Sequence, residues 1–416
     1  MKVFLQTYGC RANHYDTEAV RGMLAQAGVE EVDDASDADF AVFNSCSVTS
    51  AAEADLRAGV RQAARLNPSI RTIVMGCASG VTDRDESRTP LATLPSVESI
   101  VVGGDVSAVG SALGVAPASR ATPPVQTGAR ALLRIQDGCD EHCTFCVTTN
   151  ARGENRSRNT DEIVEEAKRL ADTHPEIVVT GIHIGSYGND IGSSLGKLVE
   201  RLVAETDSVR FRLTSIEATE VDERLADLLT ADSTRIAPHL HAPLQSGSDR
   251  VLKRMGRHWY TAQAYAESVE RLIGGREVFA LSGDVICGFP GETDDDHRAT
   301  IDLVQSLPFT DLHVFPYSPR PGTAAQRLSG VVSSSVTSRR AAELRALAAG
   351  KSARYREKQN GRHADVVVIG RGAGLTEDYL SVSISNQGIA RRERFSATLS
   401  LQGDRLSAAP VTSAAE

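Results

Sequence analysis

Three cysteines lie within the stretch GCDEHCTFC, at Cys139, Cys143 and Cys146. Thiolates are the soft ligands that zinc and iron–sulfur clusters take in proteins. A closed structural zinc site needs four protein ligands, and no further pair of cysteines lies near this loop. Three thiolates therefore indicate a metal or cluster centre with one position left for water or a substrate.

Three more cysteines each follow a strand-like apolar run: KVFLQTYG before Cys10, DFAVFNS before Cys46 and IRTIVMG before Cys77. Amphipathic patterns such as DTEAVRGMLAQAG separate these runs and predict helices. The spacing suits one βαβ unit per interval. Because parallel strands present their carboxyl ends along one edge of a sheet, we expect these thiols to converge there. Cys287, inside the apolar DVICGFP, is predicted to be a buried structural thiol.

The rest of the chain also predicts an α/β protein. From residue 130, six strand-like runs alternate with helical patterns, which favours a partial TIM barrel, (βα)6. A long basic helix, SRRAAELRALAAGKSARYREKQN, precedes short β-like runs that suit a small C-terminal β-barrel. The predicted units are an N-terminal open parallel α/β domain over 1–112, a linker over 113–129, the partial barrel over 130–350, and the basic helix with the small barrel over 351–416.

Composition places the chain among soluble globular proteins, with 416 residues, 41% hydrophobic and 24% charged. It contains no apolar run of about 18 residues and no signal-peptide pattern at its start, so we expect a cytoplasmic protein without membrane contact. Thiols stay reduced in the cytosol, which favours metal or redox chemistry over disulfides for the seven cysteines. A net charge of −9 argues against a generally cationic nucleic-acid binder, although not against a local patch.

The CxxxCxxC loop after the first barrel strand resembles the radical S-adenosylmethionine (radical SAM) enzymes. This resemblance implies a [4Fe-4S] cluster on Cys139, Cys143 and Cys146, with SAM on the fourth iron. The segments QTYGCRANHYDTEA, NSCSVT, MGC, HAPLQSGSDRVLKRMGR, DVICGFPGET and PYSPRPGTAA resemble the methylthiotransferases of that superfamily. The family likeness implies a second [4Fe-4S] cluster on Cys10, Cys46 and Cys77, and a C-terminal RNA-binding TRAM domain. One departure is Thr148 and Thr149, where the family commonly has a proline.

Within this family, NHYDTEA, TGIHIGSYG and LHVFPYSPRPGT are most similar to the branch that modifies N6-threonylcarbamoyladenosine at tRNA position 37. The resemblance implies that one SAM yields a radical that takes hydrogen from carbon 2 of the adenine. Sulfur would arrive through the second cluster, and a second SAM would supply the methyl group. The implied partners are the tRNA anticodon loop, an unidentified reductant and a sulfur donor.

Three alternatives remain open at this point. Two keep the methylthiotransferase and change its target, to isopentenyladenosine in tRNA or to a ribosomal protein side chain. The third is a non-catalytic zinc or RNA-binding protein that uses the same cysteines, although both trios lack a fourth ligand.

Polar residues at the predicted strand ends are candidates for SAM binding. Gly181 and Ile182 in TGIHIG offer backbone groups, and Glu217, Gln245 and Ser246 offer side chains. The plain alternative is that these residues are merely exposed strand ends. Asp16 is interpreted as the cap of the first helix, with Glu18 in its first turn.

Basic residues near the cysteine loop and the C-terminus are candidates for RNA contact, against the plain alternative of a solvated charged surface. Trp259 lies beside some of them and is a candidate to stack on a base or to pack in a core. The basic candidates are Arg152, Arg156, Arg158, Lys253, Arg254, Arg257, Arg391, Arg392 and Arg394.

Overall fold

The N-terminal sheet has five parallel strands in the order β2-β1-β3-β4-β5. The computed structural model describes residues 1–46, 50–81, 91–116, 123, 125–231, 234–273, 276–385 and 388–411. The strands are β1 (Lys2–Tyr8), β2 (Glu30–Val32), β3 (Phe40–Ser45), β4 (Arg71–Gly76) and β5 (Val97–Ile100). The helices are α1 (Arg11–Gln26), α2 (Ser50–Leu66), α3 (Cys77–Val81) and α4 (Val106–Leu113). The central strand β3 is buried along its whole length, as an apolar run in a parallel sheet requires.

The first helix differs from the sequence prediction. Helix α1 begins at Arg11 with Cys10 as its N-cap residue, so Asp16 lies inside the helix and does not cap it. The interpretation of Asp16 as a cap is therefore wrong, and Glu18 does not lie in the first turn. Both side chains are buried because they bind partners elsewhere in the chain: Asp16 pairs with Arg134, and Glu18 accepts a hydrogen bond from the Thr127 backbone.

The central region contains the six predicted parallel strands in chain order. They form two three-stranded sheets, β10-β9-β6 and β11-β12-β13, which single parallel bridges join at Phe211–Ile236 and Ser215–His241. The strands are β6 (Ala131–Arg134), β9 (Glu176–Thr180), β10 (Arg210–Leu213), β11 (His239–His241), β12 (Ala280–Cys287) and β13 (Phe309–Pro316). A short antiparallel ribbon, β7 (Gln136–Asp137) and β8 (Arg156–Ser157), flanks the cysteine loop.

Helices cover the outside of this sheet and bury their apolar faces against it. Asn159 caps the first long helix of this layer through its side chain, and Thr293 and Asp296 form a capping box on the last. The helices are α5 (Thr148–Arg152), α6 (Thr160–Ala171), α7 (Leu195–Glu205), α8 (Glu223–Thr230), α9 (Asp249–Arg254), α10 (Ala262–Ile273) and α11 (Asp294–Ser306). Cys287 is buried, which confirms its prediction.

The C-terminal region is a closed five-stranded barrel in the order β14-β15-β16-β18-β17, preceded by α12 (Ser334–Lys358). Three of its strands lie where the sequence placed β-like runs, and β15 and β18 are additional. The strands are β14 (His363–Gly370), β15 (Ala373–Thr376), β16 (Ser381–Ile384), β17 (Arg394–Gln402) and β18 (Arg405–Pro410). Among the described helices, none is long and apolar enough to cross a membrane.

The predicted linker lies partly outside the described residues, since 117–122 and 124 are not among them. Its final part, residues 126–128, forms hydrogen bonds with residues of both barrels. Gln126 exchanges two hydrogen bonds with the backbone of Leu132, at 2.8 and 2.7 Å. Arg391 donates to the Thr127 carbonyl at 2.7 Å, and Arg392 donates to the carbonyls of Gln126 and Gly128. These contacts join the start of the partial barrel to the C-terminal barrel.

Candidate active site

The loop that carries Cys139, Cys143 and Cys146 is held at both ends by backbone hydrogen bonds. Cys139 N donates to the Gly153 carbonyl at 3.0 Å, and Thr144 N donates to the Met255 carbonyl at 2.8 Å. Gly138 precedes the loop with φ of 75°, and a Cβ there would collide with the Glu154 carbonyl oxygen. Glycine is therefore required at this turn.

Each of these three thiols has a polar neighbour at its sulfur. Arg257 Nη1 lies 3.3 Å from Cys143 Sγ, and Thr148 N lies 3.4 Å from Cys146 Sγ. His183 Nδ1 lies 3.7 Å from Cys139 Sγ. Burial raises the pKa of Cys143 to about 12, and the nearby Arg257 opposes that rise. Donors at the sulfurs stabilise thiolates, the form that binds iron.

Glu217 is buried beside this loop and is linked to it through Arg257. Arg257 forms an ion pair with Glu217 Oε1, and Trp259 Nε1 donates to Glu217 Oε2 at 2.6 Å. The guanidinium lies 4.9 Å from the Trp259 ring centroid. Burial raises the pKa of Glu217, while Arg257 counteracts it. The prediction of RNA contact by Arg257 does not fit its burial, and Glu217 already has two protein donors.

A cavity of about 320 Å³ opens beside Cys146. Its lining includes the predicted SAM residue Gln245, which has φ of 65°, an uncommon value for a residue other than glycine. Aromatic and apolar side chains make up much of its lining, as in most small-molecule sites. The other residues of the lining are Phe145, Val147, Asp284, Ile286, Phe315, Pro316, Tyr317, Ser318 and Arg320.

The other predicted SAM residues have protein partners. Ile182 N donates to Gln136 Oε1 at 3.0 Å, and a Cβ on Gly181 would lie 2.9 Å from the Gln136 carbonyl oxygen. Ser246 Oγ accepts from Ser248 N at 3.2 Å and so supports the turn into α9. The structure therefore brings Gln245 to the cavity and assigns local packing or hydrogen-bonding contacts to Gly181, Ile182 and Ser246.

Cys10, Cys46 and Cys77 follow β1, β3 and β4, and they meet at the carboxyl edge of the N-terminal sheet. Cys10 hydrogen-bonds Cys46, which is the main reason that the pKa of Cys10 falls to about 6. Burial raises the pKa of Cys77, and the Cys10 thiolate adds to the rise. A Cβ on Gly9 would lie 2.9 Å from Cys46 Cβ, so glycine permits this approach. The fold thus places the three thiols together, as the βαβ spacing predicts.

Helix α5 lies between the two cysteine sites. Cys146 precedes its first turn, while Cys77 packs against Val147 and Ala151. Arg152, the last residue of α5, donates through Nε to Cys77 Sγ at 3.2 Å and pairs with Asp16 at 2.8 Å. A five-residue helix is about 7.5 Å long, so the two sites are close neighbours. Arg152 is buried in this contact and is not available to an RNA phosphate.

Most of the other arginine candidates also bind protein groups. Arg158 pairs with Glu166 at 2.8 Å, and Arg254 donates to the Pro290 carbonyl at 2.9 Å. Arg394 pairs with Asp365 and donates to the Ser208 carbonyl at 2.8 Å, so with Arg391 and Arg392 it helps attach the C-terminal barrel. The exposed Arg156 and Lys253 remain predictions for RNA contact.

Sequence reasoning missed two residues of this site, His183 and Asp137. Burial alone would lower the pKa of His183, but its contacts with Cys139 and Glu220 raise it to about 10. Asp137 lies 3.5 Å from Arg152. His183 lies within the marked stretch TGIHIG, and Asp137 directly precedes the cysteine loop, so this nearness in sequence was the available signal.

The three sulfur atoms of each cysteine site are less closely grouped than the ligand atoms of one other set of side chains. Among the described residues, His241, Asp284 and His313 form the one set of three His, Cys, Asp or Glu ligands whose atoms all lie within 4.8 Å of one another. Zinc–sulfur bonds of about 2.3 Å in a tetrahedral site place sulfurs about 3.8 Å apart. Neither cysteine trio has all three sulfurs at that spacing.

We expect Arg257→Met to weaken retention of the cluster on the Cys139–Cys146 loop. The substitution removes the cation beside Cys143 Sγ and leaves Glu217 buried without that partner. Iron loss to a chelator after anaerobic reconstitution should be about tenfold faster. The matched control is Arg271→Met on the exposed face of α10. Equal rates of iron loss in both variants would contradict the role of Arg257.

Comparison with known proteins agrees with the fold and the site. Residues 133–304 match the Radical SAM superfamily, and residues 2–101 match the family described as "Uncharacterized protein family UPF0004". A solved radical SAM methyltransferase, TsrM from Kitasatospora setae, superposes with a TM-score of 0.59 at 16% identity, covering 78% of this chain and 75% of that chain. This structural likeness supports the fold alone. Fold and cysteine loop define a radical SAM enzyme, which uses SAM and a [4Fe-4S] cluster.

Relatives of similar sequence identify the family within the radical SAM enzymes to which this chain belongs. The chain is 36% identical over 366 residues to the threonylcarbamoyladenosine tRNA methylthiotransferase MtaB of Bacillus subtilis, covering 83% of this chain and 80% of the relative. It is 33% identical over 401 residues to MtaB of Aquifex aeolicus, covering 92% of this chain and 96% of the relative. The chain belongs to the radical SAM methylthiotransferase family.

Proposed function

We propose that this enzyme transfers a methylthio group to carbon 2 of N6-threonylcarbamoyladenosine at tRNA position 37, with two [4Fe-4S] clusters and two molecules of SAM. The observation that carries the two-cluster proposal is the pair of three-cysteine sites on either side of α5. The names of the relatives from B. subtilis and A. aeolicus support the tRNA substrate.

The chain supplies two thiolate sets and a buried connection between them. When bound, the cluster on Cys139, Cys143 and Cys146 supplies, with SAM, the radical chemistry that breaks an inert C–H bond. Arg257 holds a positive charge against Cys143 Sγ, and Glu217 and Trp259 fix the orientation of that guanidinium. The adjoining cavity, with Gln245 in its lining, is the proposed place for SAM and the adenine.

The N-terminal trio is proposed to hold the second cluster, which delivers sulfur. Cys10 is exposed, whereas Cys46 and Cys77 are buried, so the site is open on the Cys10 side. Arg152 ties Cys77 to Asp16 and thereby fixes the N-terminal sheet against α5. This arrangement keeps the sulfur-delivering site near the cavity without a large domain movement.

The decisive measurement is mass spectrometry of tRNA nucleosides from a bacterial strain without its own methylthiotransferases, with and without this chain. We expect 2-methylthio-N6-threonylcarbamoyladenosine to appear with the wild-type chain. A strain expressing the Cys143→Ala chain is the matched control and should lack the product. If methylthiolated isopentenyladenosine appears in its place, the substrate is isopentenyladenosine in tRNA. If tRNA is unmodified and a ribosomal protein is methylthiolated, the substrate is that protein and not tRNA. A purified protein that contains zinc without iron would end the enzymatic proposal.

A further inference from the structure

Three neighbouring strands of the partial barrel bring His241, Asp284 and His313 together. Asp284 on β12 is directly opposite His313 on β13, and His241 on β11 is opposite Ser282, two residues before Asp284. Asp284 Oδ2 lies 3.3 Å from His241 Nε2, and Asp284 Oδ1 lies 3.1 Å from His313 Nδ1. Neither cysteine site uses these residues.

The ligand types and their separations suit a transition-metal ion. Two imidazoles and one carboxylate bind zinc or ferrous iron with positions left open for other ligands. Bonds of about 2.1 Å at angles between tetrahedral and octahedral place neighbouring ligand atoms about 3.0–3.4 Å apart. The two distances lie in that range, one to each carboxylate oxygen of Asp284.

Both histidines also have a partner on the other ring nitrogen. Ser282 Oγ lies 2.9 Å from His241 Nδ1, and Asp311 Oδ2 lies 3.6 Å from His313 Nε2. Such outer partners fix the ring orientation and tautomer of metal-binding histidines, and a carboxylate makes the ligand more basic.

The group adjoins the cavity beside Cys146, because one of its members, Asp284, belongs to the lining of that cavity. We propose that His241, Asp284 and His313 bind one divalent first-row transition ion, zinc or ferrous iron, whose free positions accept oxygen donors of the substrate. The oxygen donors are assigned to the carboxylate and hydroxyl of the threonylcarbamoyl group, and this assignment rests on the proposed function.

The metal site can be tested without tRNA. Protein with its clusters reconstituted is dialysed against a zinc series, and zinc and iron are measured by inductively coupled plasma mass spectrometry. We expect about one zinc ion per wild-type chain and at least tenfold weaker zinc binding in His313→Ala and Asp284→Asn, with iron unchanged. His363→Ala, an exposed histidine of the C-terminal barrel, is the matched control and should bind zinc as the wild type does.

A third variant separates a metal site from a plain hydrogen-bonded group. Ser282→Ala keeps all three ligands and removes the partner of His241 Nδ1, so zinc affinity should fall by about 10–100-fold. Zinc uptake that is equal in the wild type and His313→Ala, or no uptake by the wild type, would overturn the site. If zinc binds as expected but no methylthiolated threonylcarbamoyladenosine forms, the metal site stands and the proposed function fails.

Discussion

Cys46→Ala protein is expected to cleave SAM at the wild-type rate and to make no methylthiolated product, whereas Cys143→Ala protein is expected to do neither. Cys143 belongs to the loop beside the cavity, and Cys46 belongs to the N-terminal trio across α5. A cluster held by three thiolates does not survive the loss of one of them intact. The two substitutions therefore remove different centres.

Both outputs are measured in one anaerobic reaction, with 5′-deoxyadenosine for SAM cleavage and the modified nucleoside for sulfur insertion. We expect each affected output to fall by at least a hundredfold. The matched control is Cys287→Ala, which removes a buried thiol whose sulfur contacts the carbonyl oxygens of Phe315 and Thr337, at 3.7 and 3.9 Å. This control should retain both outputs. Normal product formation by Cys46→Ala would refute the division of labour between the two sites.

The strand and cysteine pattern could be predicted from sequence because it depends on local periodicity. Each of Cys10, Cys46 and Cys77 ends an apolar run, and parallel topology alone brings such ends to one edge. The six strands of the partial barrel could be predicted from sequence for the same reason. The short strands β2 and β5, of three and four residues, contain too few apolar positions to produce a pattern.

The roles of charged residues could not be predicted in this way, since they depend on partners far along the chain. Asp16 satisfies the local rule for a helix cap, but its position is set by Arg134 and Arg152, more than a hundred residues away. The sequence favours a surface position for Arg394, but in the folded protein Arg394 pairs with Asp365. Local sequence determines where a charge lies along an element, and tertiary packing determines whether it meets solvent, RNA or another side chain.

The buried charged residues of the partial barrel could not be predicted from local sequence either. Glu176, Arg210 and Arg212 are charged residues of the barrel strands, and their side chains are fully buried. Glu176 accepts from Arg210 Nε at 2.6 Å and from Arg212 Nε at 2.8 Å. The arginines then donate to the carbonyls of Asp365 and Thr376, at 3.0 and 3.1 Å. This network joins the partial barrel to the C-terminal barrel.

Glu176→Gln is expected to lower the free energy of unfolding by about 3–5 kcal/mol, because it leaves the buried Arg212 without its counter-charge and Arg210 with Asp365 alone. The transition is followed by urea denaturation with the fluorescence of Trp259, the only tryptophan, which lies in the same barrel. Glu200→Gln is the matched control. Glu200 pairs with Arg224 at a site where both side chains are about half exposed, so its loss should cost at most about 1 kcal/mol.

The wild type and Glu176→Gln differ in their free energy of unfolding, and the pH dependence of that difference tests whether the lost charge is its cause. Burial would raise the pKa of Glu176, but Arg212 and Arg210 outweigh it and hold that pKa well below its usual range. A carboxyl with a depressed pKa contributes its full stability above the unfolded-state value of about 4.3 and loses it as the pH falls further. The gap between the wild type and Glu176→Gln should therefore be constant above about pH 5 and shrink below about pH 4. A gap that stays the same down to pH 3 would show that the substitution acts through packing and not through the lost charge.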